Sequence, residues 1–178
     1  VWRTYGAGIW IENSKNVTVK KTVAKGAQNG IVLVDTTHST LIENDFSYNS
    51  GWGIALGRSS DNRILWNHAD FVNRPWAGGW GGDSSAIAVA DSSHRNYFVG
   101  NSLTHSGDGF FLTHRSDRFD ERNRKIELFG PSNDNVVAYW VPAQLPAALH
   151  TGQPIICACG ATATSHAHSL RTTPGKGT

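Results

Sequence analysis

The sequence predicts an all-β fold, a single-stranded parallel β-helix (solenoid) of about five to six coils with 22–23 residues per regular coil. Three observations carry the prediction. The first is self-similarity: Gly53-Ile54-Ala55-Leu56, a polar turn and then Arg63-Ile64-Leu65-Trp66-Asn67 have counterparts starting at Gly8, Gly30, Ala86 and Gly109. Those starts are 22, 23, 33 and 23 residues apart, so one unit carries an insertion of ten residues. A period in this range marks coils that cannot bury an apolar face alone and must stack on one another. The second observation is period-two alternation over short runs bounded by Gly and Asn, which indicates strands rather than helices. The third is that Asn44, Asn67 and Asn101 close the second strand of their units at the same phase. Stacked asparagines at a turn form a ladder that caps backbone.

Each element follows from these signals. Coil one alternates Ile9 and Ile11, turns through Asn13 to Asn16, and alternates again at Val17 and Val19. Coil two repeats this with Ile31 and Leu33, then Leu41 and Glu43. Coil three has Ile54 and Leu56, then Ile64 and Trp66. It departs from the pattern near residues 68–84, where Trp76 and Trp80 lie among glycines. Ile87, Val89 and Phe98 mark coil four, and Phe110 and Leu112 begin coil five. A charged insertion near 115–131 follows, and the repeat resumes at Ser132-Asn133-Asp134-Asn135. The β-helix therefore covers residues 1–140, and the Ala/Thr/Ser/Gly-rich stretch 141–178 reads as a poorly ordered, non-repeat tail.

Bulk properties exclude several classes. A net charge of +2 with no Lys/Arg cluster gives no footprint for nucleic acid. No apolar run reaches membrane-spanning length. The chain lacks Met altogether and its first residues look like the end of an earlier coil, so it reads as a fragment or processed product. Both cysteines, Cys157 and Cys159, fall in the tail with His166 and His168; their spacing matches no familiar zinc module. No metal site is assigned. Calcium is compatible with the sequence but no motif indicates it, and the cofactor stays undetermined.

The gapped but regular repeat resembles the right-handed parallel β-helix proteins of the pectin-lyase-like superfamily. Within it, the units are most similar to those of carbohydrate-binding proteins and sugar hydrolases, including periplasmic β-helix proteins and alginate epimerases. The resemblance implies right-handedness, an exported location (secreted, periplasmic or cell surface) and a polysaccharide or glycan partner. No catalytic motif of that superfamily can be placed on this chain residue by residue.

Stacking turns equivalent positions into columns about 4.8 Å apart. With Ile9, Ile31, Ile54, Ile87 and Phe110 inward, the outward column is Trp10, Val32, Ala55, Ala88 and Phe111. Its small apolar centre suits either a ligand platform or a surface beneath a loop. At the strand end stands Asn13, Asp35, Arg58, Asp91, His114, and three residues on stands Asn16, His38, Asp61, His94, Asp117. As turn residues, these charges pair loosely along the ladder. As a catalytic site, Arg58 neutralises a uronate carboxylate while Asp91, Asp35 or His114 moves a proton. Asp35 and Asp91, two coils or about 9.6 Å apart, lie at the wide limit for inverting glycoside hydrolysis. Trp76 and Trp80 suit stacking on sugar faces, with Asp83, His94, Asp61 and Asp108 as further substrate-binding candidates. The expected function is a polysaccharide-binding module or a polysaccharide lyase, epimerase or glycoside hydrolase. The alternative is a non-catalytic structural or adhesion solenoid.

Overall fold

The alternating runs become strands in register from coil to coil in the computed structural model, which describes residues 6–74, 84–113, 118–119, 125–126, 130, 132–138 and 156–159. One sheet is built from β1 (Ala7–Glu12), β3 (Asn29–Val34), β5 (Trp52–Gly57), β7 (Ser85–Ala90) and β9 (Asp108–Thr113), all parallel and in that order. The second contains β2 (Thr18–Lys20), β4 (Thr40–Ile42), β6 (Arg63–Leu65), β8 (Tyr97–Val99) and β12 (Asn135–Ala138), also mutually parallel. Single bridges join Val23, Asp45, His68 and Ser102 along a third side. No helix occurs among the described residues. This is the predicted parallel solenoid.

Between the sheets lies one apolar core. Ile31, Ile54 and Ile87 stack in one column and Leu33, Leu56 and Val89 in the next, all at 0% exposure. Leu41, Ile64 and Phe98 meet them from the second sheet. Ile9, Ile11 and Val19 at one end and Phe110, Leu112 and Val137 at the other are only partly buried against this core. The backbone here approaches closely enough to demand glycine: a Cβ on Gly30 would stand 2.6 Å from the Gly53 carbonyl oxygen.

Two insertions interrupt the stacking without breaking it. Between Arg74 and Ser84 the intervening residues, including Trp76, Trp80 and Asp83, lie outside the described set. The coil-five insertion contains β10 (Arg118–Phe119) and β11 (Lys125–Ile126), an antiparallel pair. Within 141–178, read from sequence as a poorly ordered tail, β13 (Ile156–Cys159) pairs antiparallel with β12. An antiparallel edge strand of this kind is not a further coil. Covering a sheet edge satisfies backbone groups that would otherwise be open to another strand.

The turns are held by buried polar ladders. Asn67 accepts from the Asn44 backbone N–H at 3.0 Å and from its Nδ2 at 2.8 Å. Its own Nδ2 donates to the Leu41 carbonyl and to Asn101 Oδ1, both at 3.0 Å. Asn62, Asn96 and Asn135 repeat the arrangement before the second strand. Ser59, Ser93 and Ser132 each accept the backbone N–H of the coil before. On the third side the buried Asn49 amide accepts from the Ala27 N–H and donates to the Ala24 carbonyl of the coil before. Beside it Tyr48, Phe71 and His105 stack with centroids 5.0 and 4.6 Å apart.

Truncating a ladder amide strands buried donors and acceptors on two coils at once, a cost of about 1–3 kcal/mol for each unsatisfied group. Asn67→Ala is expected to lower unfolding free energy by about 2–4 kcal/mol in urea titration. The exposed Asn73→Ala is expected to stay within about 0.5 kcal/mol of the parent.

Candidate functional site

The column Asn13, Asp35, Arg58, Asp91 forms as expected, because Glu12, Val34, Gly57 and Ala90 stack immediately before it. All four adopt left-handed backbone, with φ of 49°, 48°, 51° and 54°. Asn and Asp tolerate this region through local hydrogen bonding, whereas an arginine there costs about 1–2 kcal/mol. Arg58 has an offsetting contact: its Nε and Nη2 each donate to Asp35 at 2.7 Å. This fork on a carboxylate is the strongest geometry such a pair can take. Asp35 thereby holds Arg58 above its ordinary pKa, and the charges of Asp91 and Glu12 add to the effect. Glu12, from the first coil, was not among the residues singled out by sequence; it accepts from Trp10 Nε1 at 3.3 Å.

Asp91 is buried, with 3% exposure, whereas the Asp35 side chain remains 37% exposed. His114 lies outside the described residues, so the column's basic end is not part of the geometry. The structure thus joins Asp35 to Arg58 and sets Asp91 within their field.

The second column differs from its expected membership. Gly57 stacks on Ala90 but Arg63 stacks on Tyr97, offsets of 33 and 34, so the coil-four turn holds one extra residue. Asp91 and Ser92 both take positive φ there. The left-handed column is therefore Asn16, His38, Asp61, Arg95 and Asp134, with Arg95 and Asp134 replacing His94 and Asp117. Alignment on Asn62, Asn96 and Asn135, the residues after each, would have revealed this from sequence. Arg95 donates from Nε and Nη2 to Asp61 at 2.7 and 2.8 Å. His94 is half-buried and its Nδ1 accepts the Asn133 N–H at 3.1 Å. Asp108 opens β9, half-buried, well away from both turn columns along the coil.

The outward platform of the first sheet is a covered surface. Val32, Val34, Ala55, Ala88 and Ala90 are at most 5% exposed and cluster with Trp52, while Ala7 and Trp10 pack against them. Of the two options left by the small apolar centre, burial is the one realised across the middle coils. Strands apolar on both faces read as continuous runs, which is the signature of a doubly covered parallel sheet. No group of three or more His, Cys, Asp or Glu side chains comes together among the described residues.

The Asp61–Arg95 pair gives a pH signature. The Arg95 hydrogen bonds lower the Asp61 pKa from its ordinary value, more than burial raises it. A depressed folded-state pKa contributes stability above the unfolded value, about 3.9, and that contribution is lost as pH falls through the folded value. Arg95→Gln is therefore expected to lower Tm at pH 6, with the two melting curves converging toward pH 2.5.

With this geometry in hand, comparison with known proteins gives a family match. The NosD family model, described as "Periplasmic copper-binding protein (NosD)", matches residues 2–124. No curated protein and no solved structure matches the chain.

Proposed function

The chain belongs to the NosD family of periplasmic copper-binding proteins, and we propose that it is a non-catalytic exported β-helix that binds a polysaccharide, the ligand class its repeat resemblance implies, without turning it over. The periplasmic family agrees with the exported location expected from sequence. No helix of the described residues is long and apolar enough to cross a membrane.

The observation that carries the non-catalytic part of the reading is the closed fork between Arg58 and Asp35. A uronate carboxylate arriving at Arg58 must displace an intramolecular partner that already uses two of its donors. A general base must also come within hydrogen-bond reach of the proton it removes. Asp91 is too deeply buried in the turn for that. In this reading Asp35, Arg58 and Asp91 lock neighbouring coils together, and Asp61 does the same with Arg95. Trp76, Trp80 and Asp83 remain candidates for sugar contact from the coil-three insertion.

Copper, the metal in the family's name, is tested by donor chemistry. Copper sites draw on thiolate, thioether and imidazole groups gathered in a defined geometry. The sequence contains no Met, and its two Cys lie at 157 and 159. The described residues bring no three suitable donors together. The described part of the solenoid does not fit a copper centre, and the proposed function runs through none.

The test is an assay for new reducing ends, unsaturated products and epimerised residues. The full chain is incubated with polyuronates and neutral polysaccharides, with and without calcium, beside Asp91→Asn. Binding with no turnover by either protein is expected. Turnover by the parent that disappears in Asp91→Asn would make the Asp35–Arg58–Asp91 column an active site and end the non-catalytic reading.

A further inference from the structure

The two sheets differ in what their outer faces meet. On the first sheet the central outward residues are buried, as shown above. On the second, Tyr97 is 51% exposed and Trp66, in the turn after β6, is 54% exposed. Arg63 is exposed and stands beside Tyr97 on the adjoining coil. Among the described residues, no hydrogen bond, ion pair or ring contact occupies the side chain of any of these three. Leu65 and Val99, paired in register, form an apolar floor between them. Lys20 stands in the same column as Leu65, two coils earlier, and its Nζ is 3.8 Å from Glu43. The outward positions of β2, β4, β6 and β8 carry cations at Lys20 and Arg63 and no carboxylate.

From this placement we infer that the outer face of the second sheet binds a strand of anionic polysaccharide, a polyuronate. The inference rests on the reading that the chain binds polysaccharide, and names the face and the ligand class. Tyr97 offers a flat apolar ring with a polar rim, which matches the C–H face and hydroxyl edge of a sugar ring. Trp66, whose Cδ1–Nε1 edge lies against Gly100 of the next coil, offers the rest of its ring to the same sugar face. Arg63 presents a fork suited to a carboxylate and, unlike Arg58, has no intramolecular carboxylate in it. Neighbouring strands lie about 4.8 Å apart, so Arg63 and Tyr97 fall within reach of a single sugar unit. An acidic peptide is the rival with the same charge. Extended peptides gain affinity from the hydrogen bonds of a sheet edge, whereas this is a sheet face whose apolar floor would leave peptide N–H and C=O groups unmet.

The experiment is affinity electrophoresis of the full chain through gels containing polygalacturonate, a neutral glucan or polyglutamate. Retardation by polygalacturonate above the other two is expected. Tyr97→Ala and Trp66→Ala should each weaken it about tenfold, and Arg63→Gln should weaken it and flatten its salt dependence. Thermal unfolding of each variant is followed in parallel; Arg63→Gln and Tyr97→Ala replace exposed side chains and should melt as the parent does. Polygalacturonate binding that survives in natively melting Arg63→Gln and Tyr97→Ala overturns this face while leaving the proposed function standing. Equal retardation by polyglutamate overturns the glycan assignment. No retardation by any polysaccharide overturns the inference and removes the ligand from the proposed function, whereas turnover overturns only its non-catalytic part.

Discussion

The structure depends on one constraint: each coil must satisfy the backbone of its buried turns with side chains from the next coil. Short strands of three to six residues provide the sheet hydrogen bonds. Some corner N–H groups, those of Asn13, Asp35 and Trp66 among them, also reach a backbone carbonyl of the next coil. The N–H groups of Thr36, Asn44, Ser59, Asn62 and Asn67 are met by side chains instead. Buried backbone groups without partners are too costly to persist. Asn62, Asn67, Asn96 and Asn101 meet this requirement because an amide has an acceptor for one neighbour and donors for the other. A serine reaches only part of this, and the serine column at Ser59, Ser93 and Ser132 accordingly serves a single N–H per coil.

That requirement explains why the column chemistry is what it is. Ladder residues hold the register on either side of a turn, and the residues between them are free to change number. Coil four uses this freedom, with one extra residue between Ala90 and Asn96. The insertion rotates His94 out of the left-handed column and brings Arg95 in, against Asp61. Coil five uses it more heavily, placing residues 114–131 between β9 and the resumed ladder at Ser132. Insertions therefore fall where the ladder tolerates them, and the sheets on either side keep their stacking.

The same stacking separates structural charge from available charge. Asp35–Arg58 and Asp61–Arg95 join coils through two-donor forks. Charges spent in this way have little left for a ligand. Arg63, one strand further along, has no such partner among the described residues, and it shares its face with two exposed aromatic rings. A large exposed aromatic on a stacked sheet is more informative than a buried one, since nothing in the fold requires it to be outside.

How much of this was legible in the sequence follows from the physics of repetition. The period, the inward columns and the Asn44–Asn67–Asn101 ladder were readable, because every coil faces the same packing problem and solves it with the same residue types. The column Asn13, Asp35, Arg58 and Asp91 followed from the same counting. Arg95 in place of His94 was legible too, but only by aligning Asn62, Asn96 and Asn135, because a one-residue expansion inside a turn leaves no mark on strand alternation. Two matters were decided only by tertiary structure. The covered state of Val32, Ala55 and Ala88 could not be read locally, since small apolar residues suit an open platform as well as a buried surface. The closure of Arg58 by Asp35 needed side-chain geometry: a column places charges on adjacent coils, but only three-dimensional packing determines which of them have already found each other.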